Sequence, residues 1–299
     1  MINMQKPFKK VGTHHGRFHA DEVMATAILK EIFEIQLIRT RDQEVLDTLD
    51  IVYDVGGGEF DHHGIDKVYR EDGIPFAASG LIWRRFGRDV IRFICPMLDE
   101  DEIQYSFNRV DSLLIKGIDA LDNGVRINNK SISVMNIASI ISGFNPPWYS
   151  EKSEEKAFDE AVNIASIILK NTIEHSFSVL KSKEIISKAY KDRYAAEILA
   201  LDTYCAWEEA LELVDKKQEV VFVIYPDKEN YALQAVRGKG GKEKKLLPES
   251  WAGKTEKELA AVTGVRGAVF CHTERFIAVA KTLKGVTKMA ELAINHSEQ

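Results

Sequence analysis

The chain has 299 residues, 45% apolar and 29% charged, an ordinary globular balance in a length that exceeds one compact core, so two domains are expected. A net charge of -6 argues against a general nucleic-acid coat protein, which binds phosphates through a basic face, but leaves room for an enzyme with a local basic groove. Cys95, Cys205 and Cys271 form no CxxC pair, the first residues carry no secretory apolar run, and no stretch approaches membrane-span length, so the expectation is a cytoplasmic protein with no membrane partner.

Phe8 to Thr13 is a short strand candidate that runs into Gly12–Glu22, GTHHGRFHADE. Asp21 opens a helical pattern, with Val23, Met24, Ala27, Ile28 and Ile32 at helical spacing. Ile35–Thr40 and Ile51–Val55 read as two further strands, the second bringing Asp54 to its carboxyl end, where ligand sites of open α/β sheets lie. Gly56, Gly57 and Gly58 allow a sharp turn into Asp61, His62 and His63. A helix is expected over Ser79–Phe86 with Ser79 as its cap, and a longer one over Asp99–Leu121 ending in IDALDNG. The paired prolines of Gly143–Ser153 mark a break, and a long helix follows from Glu154 to about Lys191. Beyond Ala196, strand pairs are expected at Glu219–Tyr225 with Tyr231–Arg237 and within Val265–Thr282, with a closing helix over Gly285–Ile294. The expected architecture is α/β: a mostly parallel sheet in residues 1–190, connecting helix included, and a smaller α+β unit in residues 191–299.

Five of the eight histidines fall between positions 14 and 63. Together with Asp21, Glu22, Asp54, Glu59 and Asp61 they form two ligand clusters of imidazole and carboxylate. This donor set suits manganese, iron or zinc better than magnesium, which prefers oxygen. One carboxylate shared between two ions would give a bridged centre of the kind that clamps a phosphoryl group and activates water for in-line attack. Glu22 and Glu59 read as supporting or exposed residues rather than ligands. In the C-terminal part, the loop Arg237–Lys245 (RGKGGKEKK) combines exposed backbone N–H groups with cations, a phosphate-binding pattern that also describes a solvated loop. Trp251 reads as packing.

The ordered motifs resemble the DHH phosphoesterase superfamily and, more closely, its Myg-type (melanocyte-proliferating-gene) branch of metal-dependent exonucleases. The resemblance is carried by Gly12–Glu22, the DVGG of Asp54–Gly57, the literal Asp61-His62-His63, the D-A-x-D-N-G of Asp119–Gly124, the LPxxW of Leu247–Trp251 and the GxxGxxFxH of Gly264–His272. It implies two divalent ions, manganese preferred, with magnesium, cobalt or zinc as alternatives. His14, His19 and Asp54 would hold one ion; Asp21, Asp54, His62 and Asp122 would hold the other, with Asp54 bridging and His63 facing the substrate. His15 competes with His14, because the general superfamily spacing H-x3-D-x-D fits His15, His19 and Asp21. Asp61 is a weaker ligand candidate, and Asp119 reads equally as a ligand or a helix carboxylate. Gly64 and the Thr273–Phe276 turn depart from the branch's pattern, which bears on substrate contacts.

The implied activity is phosphodiester hydrolysis, exonucleolytic on single-stranded RNA or short oligonucleotides, in a cleft whose substrate contacts include Arg237, Lys239, His272, Arg275 and Lys281. The alternatives are a small-molecule phosphohydrolase (pyrophosphatase or nucleotide phosphatase) and a metal- or nucleotide-binding protein without turnover. Oligomeric state is open, a homodimer being one option.

Overall fold

The computed structural model describes residues 6–125, 134–238 and 240–296. The architecture is α/β, in two compact units, residues 1–177 and 178–299. In the first unit, β1 (Phe8–Thr13), β2 (Glu34–Arg39) and β3 (Ile51–Val52) form a parallel sheet in the order β2-β1-β3. Gly12 lies in register with Val52, so the carboxyl ends of β1 and β3 stand side by side. Helix α1 (Ala20–Ile32) connects β1 to β2, the crossover that parallel pairing requires. The run Ala20–Leu29 is buried on all sides, as a helix does when it packs against a sheet and other helices. A short helix α2 (Gln43–Leu46) precedes β3.

Helix α3 (Ala78–Ile94) packs Ile82, Trp83 and Ile91 into the same core as Met24 and Ile28 of α1. It differs from expectation at both ends. Ala77 occupies the cap position and Ser79 lies inside the first turn, its hydroxyl given to Asp119 instead; the helix also runs on past Phe86. Helix α4 (Glu100–Val110) starts at Asp99, whose side chain accepts the N–H of Glu102 while Glu102 accepts that of Asp99, a reciprocal cap. It passes through a wide π turn at Asp111–Ile115 into α5 (Lys116–Asp122). Helix α6 (Ile137–Ser142) precedes the proline turn, and α7 (Glu154–Asp192) follows it for 39 residues. Ala157, Ala161, Ala165, Leu169 and Ile173 make the buried stripe of α7. The two units divide within this helix, between Phe177 and Ser178, whereas the sequence reading assigned the whole helix to the first.

The second unit is built on a five-stranded mixed sheet in the order β4-β5-β6-β8-β7, from β4 (Ile198–Ala200), β5 (Phe222–Asp227), β6 (Asn230–Ala235), β7 (Ala268–Cys271) and β8 (Ile277–Ala280). Strands β5 and β6 are joined by only Lys228 and Glu229, Asp227 pairing with Asn230; the turn is therefore tighter than the Pro226–Asn230 loop expected, with Lys228 at φ 55°. Helices α8 (Trp207–Val214), α9 (Glu256–Thr263) and α10 (Leu283–Asn295) accompany the sheet. Trp251, Leu259, Val286 and Met289 join Phe222, Ile224 and Leu233 in its core. Among the described residues no helix is long and apolar enough to cross a membrane.

Candidate metal centre

Two loops at the carboxyl ends of adjacent parallel strands bring the chemistry together. The first leaves β1 at Thr13. Successive residues of an extended chain point to opposite sides, so His14 turns in and is 4% exposed while His15 faces solvent. The Nδ1–H of His14 donates to the carbonyl oxygen of His15 at 3.1 Å, which fixes the tautomer and leaves Nε2 for the site. That Nε2 lies 3.1 Å from Asp54 Oδ2 and 3.2 Å from Glu22 Oε1.

The loop is held rigidly by residues far along the chain. Asn145 accepts from the Phe18 N–H at 2.9 Å and donates to the Phe18 carbonyl at 2.8 Å. Arg39 donates to the carbonyls of His14 and Gly16, pairs with Glu154, and lies over the Phe158 ring. Glu154 also accepts the N–H of Gly16. At the helix start both oxygens of Glu22 accept the His19 N–H, at 2.9 and 3.0 Å, so Glu22 caps α1 and touches His14 with one buried carboxylate.

The second loop leaves β3 through Asp54, which adopts φ 59°. A left-handed backbone costs a non-glycine residue about 1 kcal/mol, and Asp is among the few that tolerate it. The conformation turns the carboxylate back into the site, where Oδ1 lies 3.1 Å from His62 Nε2 and Oδ2 faces His14. His62 Nε2 is also 3.2 Å from Asp122 Oδ2 and 3.6 Å from Asp21 Oδ2. Asp122 comes from the end of α5, and its other oxygen lies 4.0 Å from His19 Nδ1.

The sets His14–His19–Glu22, His19–Asp21–Asp122, Asp21–Glu22–Asp54 and Asp54–His62–His63 each have ligand atoms within 4.8 Å of one another. His14, His19, Asp21, Asp54, His62 and Asp122 thus converge on one place. His15 and Glu59 are exposed outside it. Asp61 serves the loop: it accepts from the N–H groups of Gly57 and His63 and meets His63 Nδ1 at 2.8 Å.

Asp119 is also turned to structure. Its carboxylate takes bonds from Ser79 Oγ (2.5 Å), the Gly80 N–H (3.0 Å) and Arg70 (2.8 Å), and it lies outside all four ligand sets. Burial nonetheless raises its pKa to about 6, against the pull of Arg70, Ser79 and Gly80. Glu22, expected to be a supporting or exposed residue, is buried and touches His14. Its place at the third position of a helix that begins in a ligand loop draws the capping carboxylate toward the loop's own side chains.

The electrostatics show what the pocket is suited to. Asp21 is fully buried and neither carboxylate oxygen has a hydrogen-bond partner. Burial first, then the charges of Glu22, Asp54 and Asp122, drive its pKa well above the usual carboxylate range. Burial opposes charge on His14 and His62, yet Asp54 with Glu22, and Asp122 with Asp54, overcome it and raise both to about 10. Burial likewise opposes ionisation of Asp54, but His14 and His62 hold its pKa at about 2. A buried carboxylate without a donor is costly unless a cation compensates it. The four carboxylates and four imidazoles of these sets match the chemistry of divalent ions.

In the second unit, Arg237 is exposed and 3.8 Å from Glu243. Lys244 is spent on the carbonyls of Gln218 and Val220, and Lys245 on that of Ile294. With Gly238, Gly240 and Gly241, Arg237 lines a groove of about 700 Å³ whose other wall carries Glu208, Glu209, Glu212 and Asp215. The basic loop therefore meets acid rather than forming an open anion cradle. His272 accepts the Glu274 N–H and packs on Phe276, Arg275 donates to the Leu247 carbonyl, and Lys281 is exposed. Lys239 lies outside the described residues.

A family model named MYG1_exonuc, described as "Uncharacterised protein family (UPF0160)", matches residues 10–294. A MYG1 protein of Schizosaccharomyces pombe is 30% identical, the match covering 96% of this chain and 97% of that protein. The MYG1 exonuclease of Mus musculus is 27% identical over 98% of this chain and 86% of its own. For the MYG1 exonuclease of Homo sapiens the figures are 26%, 95% and 85%. With its ligand motifs inside that match and the match extending across both units, the chain belongs to the MYG1_exonuc family.

Proposed function

We propose that the chain is a divalent-metal-dependent exonuclease of the DHH phosphoesterase type, hydrolysing single-stranded RNA or short oligonucleotides. The observation that carries this reading is Asp21, fully buried and crowded by the negative charges of Glu22, Asp54 and Asp122. Relatives named exonucleases along nearly the whole length supply the reaction class. His14, His19 and Asp54, with Glu22 in support, would hold one ion; Asp21, Asp54, His62 and Asp122 would hold a second. Manganese suits this mixed nitrogen and oxygen set, with magnesium, cobalt or zinc as alternatives. When bound, such ions supply positive charge for a phosphoryl group and a hydrolytic water acidic enough to attack near neutral pH.

The chain's own residues orient the substrate. His63 is exposed, with its Nδ1 held by Asp61, which leaves Nε2 for a non-bridging phosphate oxygen. Asp54 fixes His14 and His62 with its two oxygens, so its loss undoes both halves of the centre.

The test is hydrolysis of a 5′-labelled single-stranded RNA with and without manganese, beside pyrophosphate and a phosphomonoester. Stepwise shortening that requires the metal and disappears in Asp54→Ala is the expected result. Phosphate release from the small substrates alone would replace this reading with a small-molecule phosphohydrolase. Metal binding with no turnover of any substrate would point to a binding protein.

A further inference from the structure

Of the four tryptophans, Trp83, Trp207 and Trp251 are buried, while Trp148 is 95% exposed. Its neighbour Tyr149 is 73% exposed, and the two rings meet edge to face at 5.6 Å. Large aromatic rings seldom stand in water, because their burial is worth more than that of almost any other side chain. The turn that carries them is firmly fastened. Pro146 and Pro147 fix two backbone torsions, the Ser150 N–H closes on the Pro147 carbonyl at 2.8 Å, and Asn145 grips both backbone groups of Phe18.

Phe18 immediately precedes His19 of the metal centre. Three residues of chain span at most about 11 Å, so the Trp148 backbone lies within that reach of Asn145, and hence beside the ligand loop. Arg17 of that loop is exposed, its guanidinium 3.3 Å from Ser142 Oγ.

We propose that Trp148, buttressed by Tyr149, is a stacking platform for a nucleobase of the single-stranded oligonucleotide whose end enters the metal centre, with Arg17 on its backbone phosphate. This inference rests on the exonuclease reading and adds the device that separates oligonucleotides from small phosphate compounds. The occupant follows from the surroundings. Ser150, Glu151, Lys152 and Ser153, all exposed, follow the ring pair, so on that side the rings are bordered by polar chain rather than by the apolar surface a protein partner uses. An exposed π face on a turn fastened to the ligand loop, with the exposed Arg17 on that same loop, offers what a base and its phosphate require, and stacking serves any base sequence.

The experiment compares wild type, Trp148→Ala and Trp148→Phe on a short single-stranded RNA and on bis(p-nitrophenyl) phosphate, a small diester with no nucleobase. Binding of labelled RNA without added metal is followed in parallel by fluorescence anisotropy. Trp148→Ala is expected to raise the RNA KM and the anisotropy Kd by about tenfold or more. Its kcat and its turnover of the small diester should match wild type, and Trp148→Phe should recover most of the affinity. Equal losses on both substrates would overturn the proposal, since Trp148 would then be supporting the loop structure. An unchanged RNA KM in an enzyme that does cut RNA would overturn it alone, and an accompanying change in self-association would mark the ring pair as a protein contact. Should wild type cut only the small diester and bind no RNA, the exonuclease reading and this inference would fall together.

Discussion

Within the metal centre, adjacent charges decide each other's protonation. With no cation bound, His14 and His62 are held near 10 by the carboxylates around them. Both folded-state values exceed the ordinary imidazole value of 6.5, so their contribution to stability is complete below about pH 6.5 and is lost as pH rises toward 10. A metal needs the neutral imidazole, so binding competes with the same protons. Manganese affinity is therefore expected to rise steeply from pH 7 to 9, with release of about one imidazole proton for each of the two ions. Calorimetry in two buffers of different ionisation enthalpy measures that release; an affinity indifferent to pH would mean that these histidines are not ligands. Which of His14 and His15 faces inward was not legible from spacing, since both fit a motif. It is settled by the alternation of side chains leaving β1. The clusters themselves were legible because metal chemistry requires unusual residue types close together. The role of Asp119 was not, because its partners Arg70, Ser79 and Gly80 lie about 40 to 50 positions away.

At the level of elements, the site depends on how closely α3 approaches α5. A Cβ added to Gly80 would stand 1.8 Å from Asp119 Oδ2 and 2.7 Å from the Phe76 ring. Asp119 holds the start of α3 against α5, and Asp122 lies one turn further along α5. Gly80→Ala is therefore expected to cost about 1–3 kcal/mol by overpacking and to weaken metal binding through Asp122, although position 80 touches no ligand. Urea denaturation and a manganese titration check the two effects; a wild-type midpoint would refute the close approach as a constraint. The long periodic helices and the apolar strands were readable from spacing. The three-residue β4 and the eight-residue α8 were not, being too short for periodicity to separate from noise. Ser79 misled because a serine at a helix start is a cap by habit, and here a buried carboxylate claims its hydroxyl.

Over the molecule as a whole, all the candidate ligands belong to the unit of residues 1–177, while the second unit has its own core around Phe222, Leu233 and Met289. A metal that binds only the folded first unit stabilises it by about 2.7 kcal/mol when present at a hundred times its Kd. Hydrogen exchange should then slow on manganese addition in the segments 12–28, 51–63 and 116–122, with little change in β5, β6 and β8. Uniform slowing across both sheets would show that the units unfold as one. The change of texture after the long helix was the mark in the sequence that suggested a second unit. The division at residue 177 was not legible, because a helix of 39 residues carries no sequence mark there.

The π turn at Asp111–Ile115 has a consequence for insertions and deletions. A π turn amounts to one extra residue in an α-helix, and each residue of an α-helix advances the facing direction by about 100°. Arg70 grips Asp111 in the turn and Asp119 beyond it with one guanidinium, recording the phase that the extra residue sets. Removing Leu113, whose side chain is 62% exposed, would shorten the helix at a point where the surface hardly notices. It would also restore regular winding and swing Asp119 and Asp122 together away from the sheet. The reading frame of this helix is thus part of the metal centre.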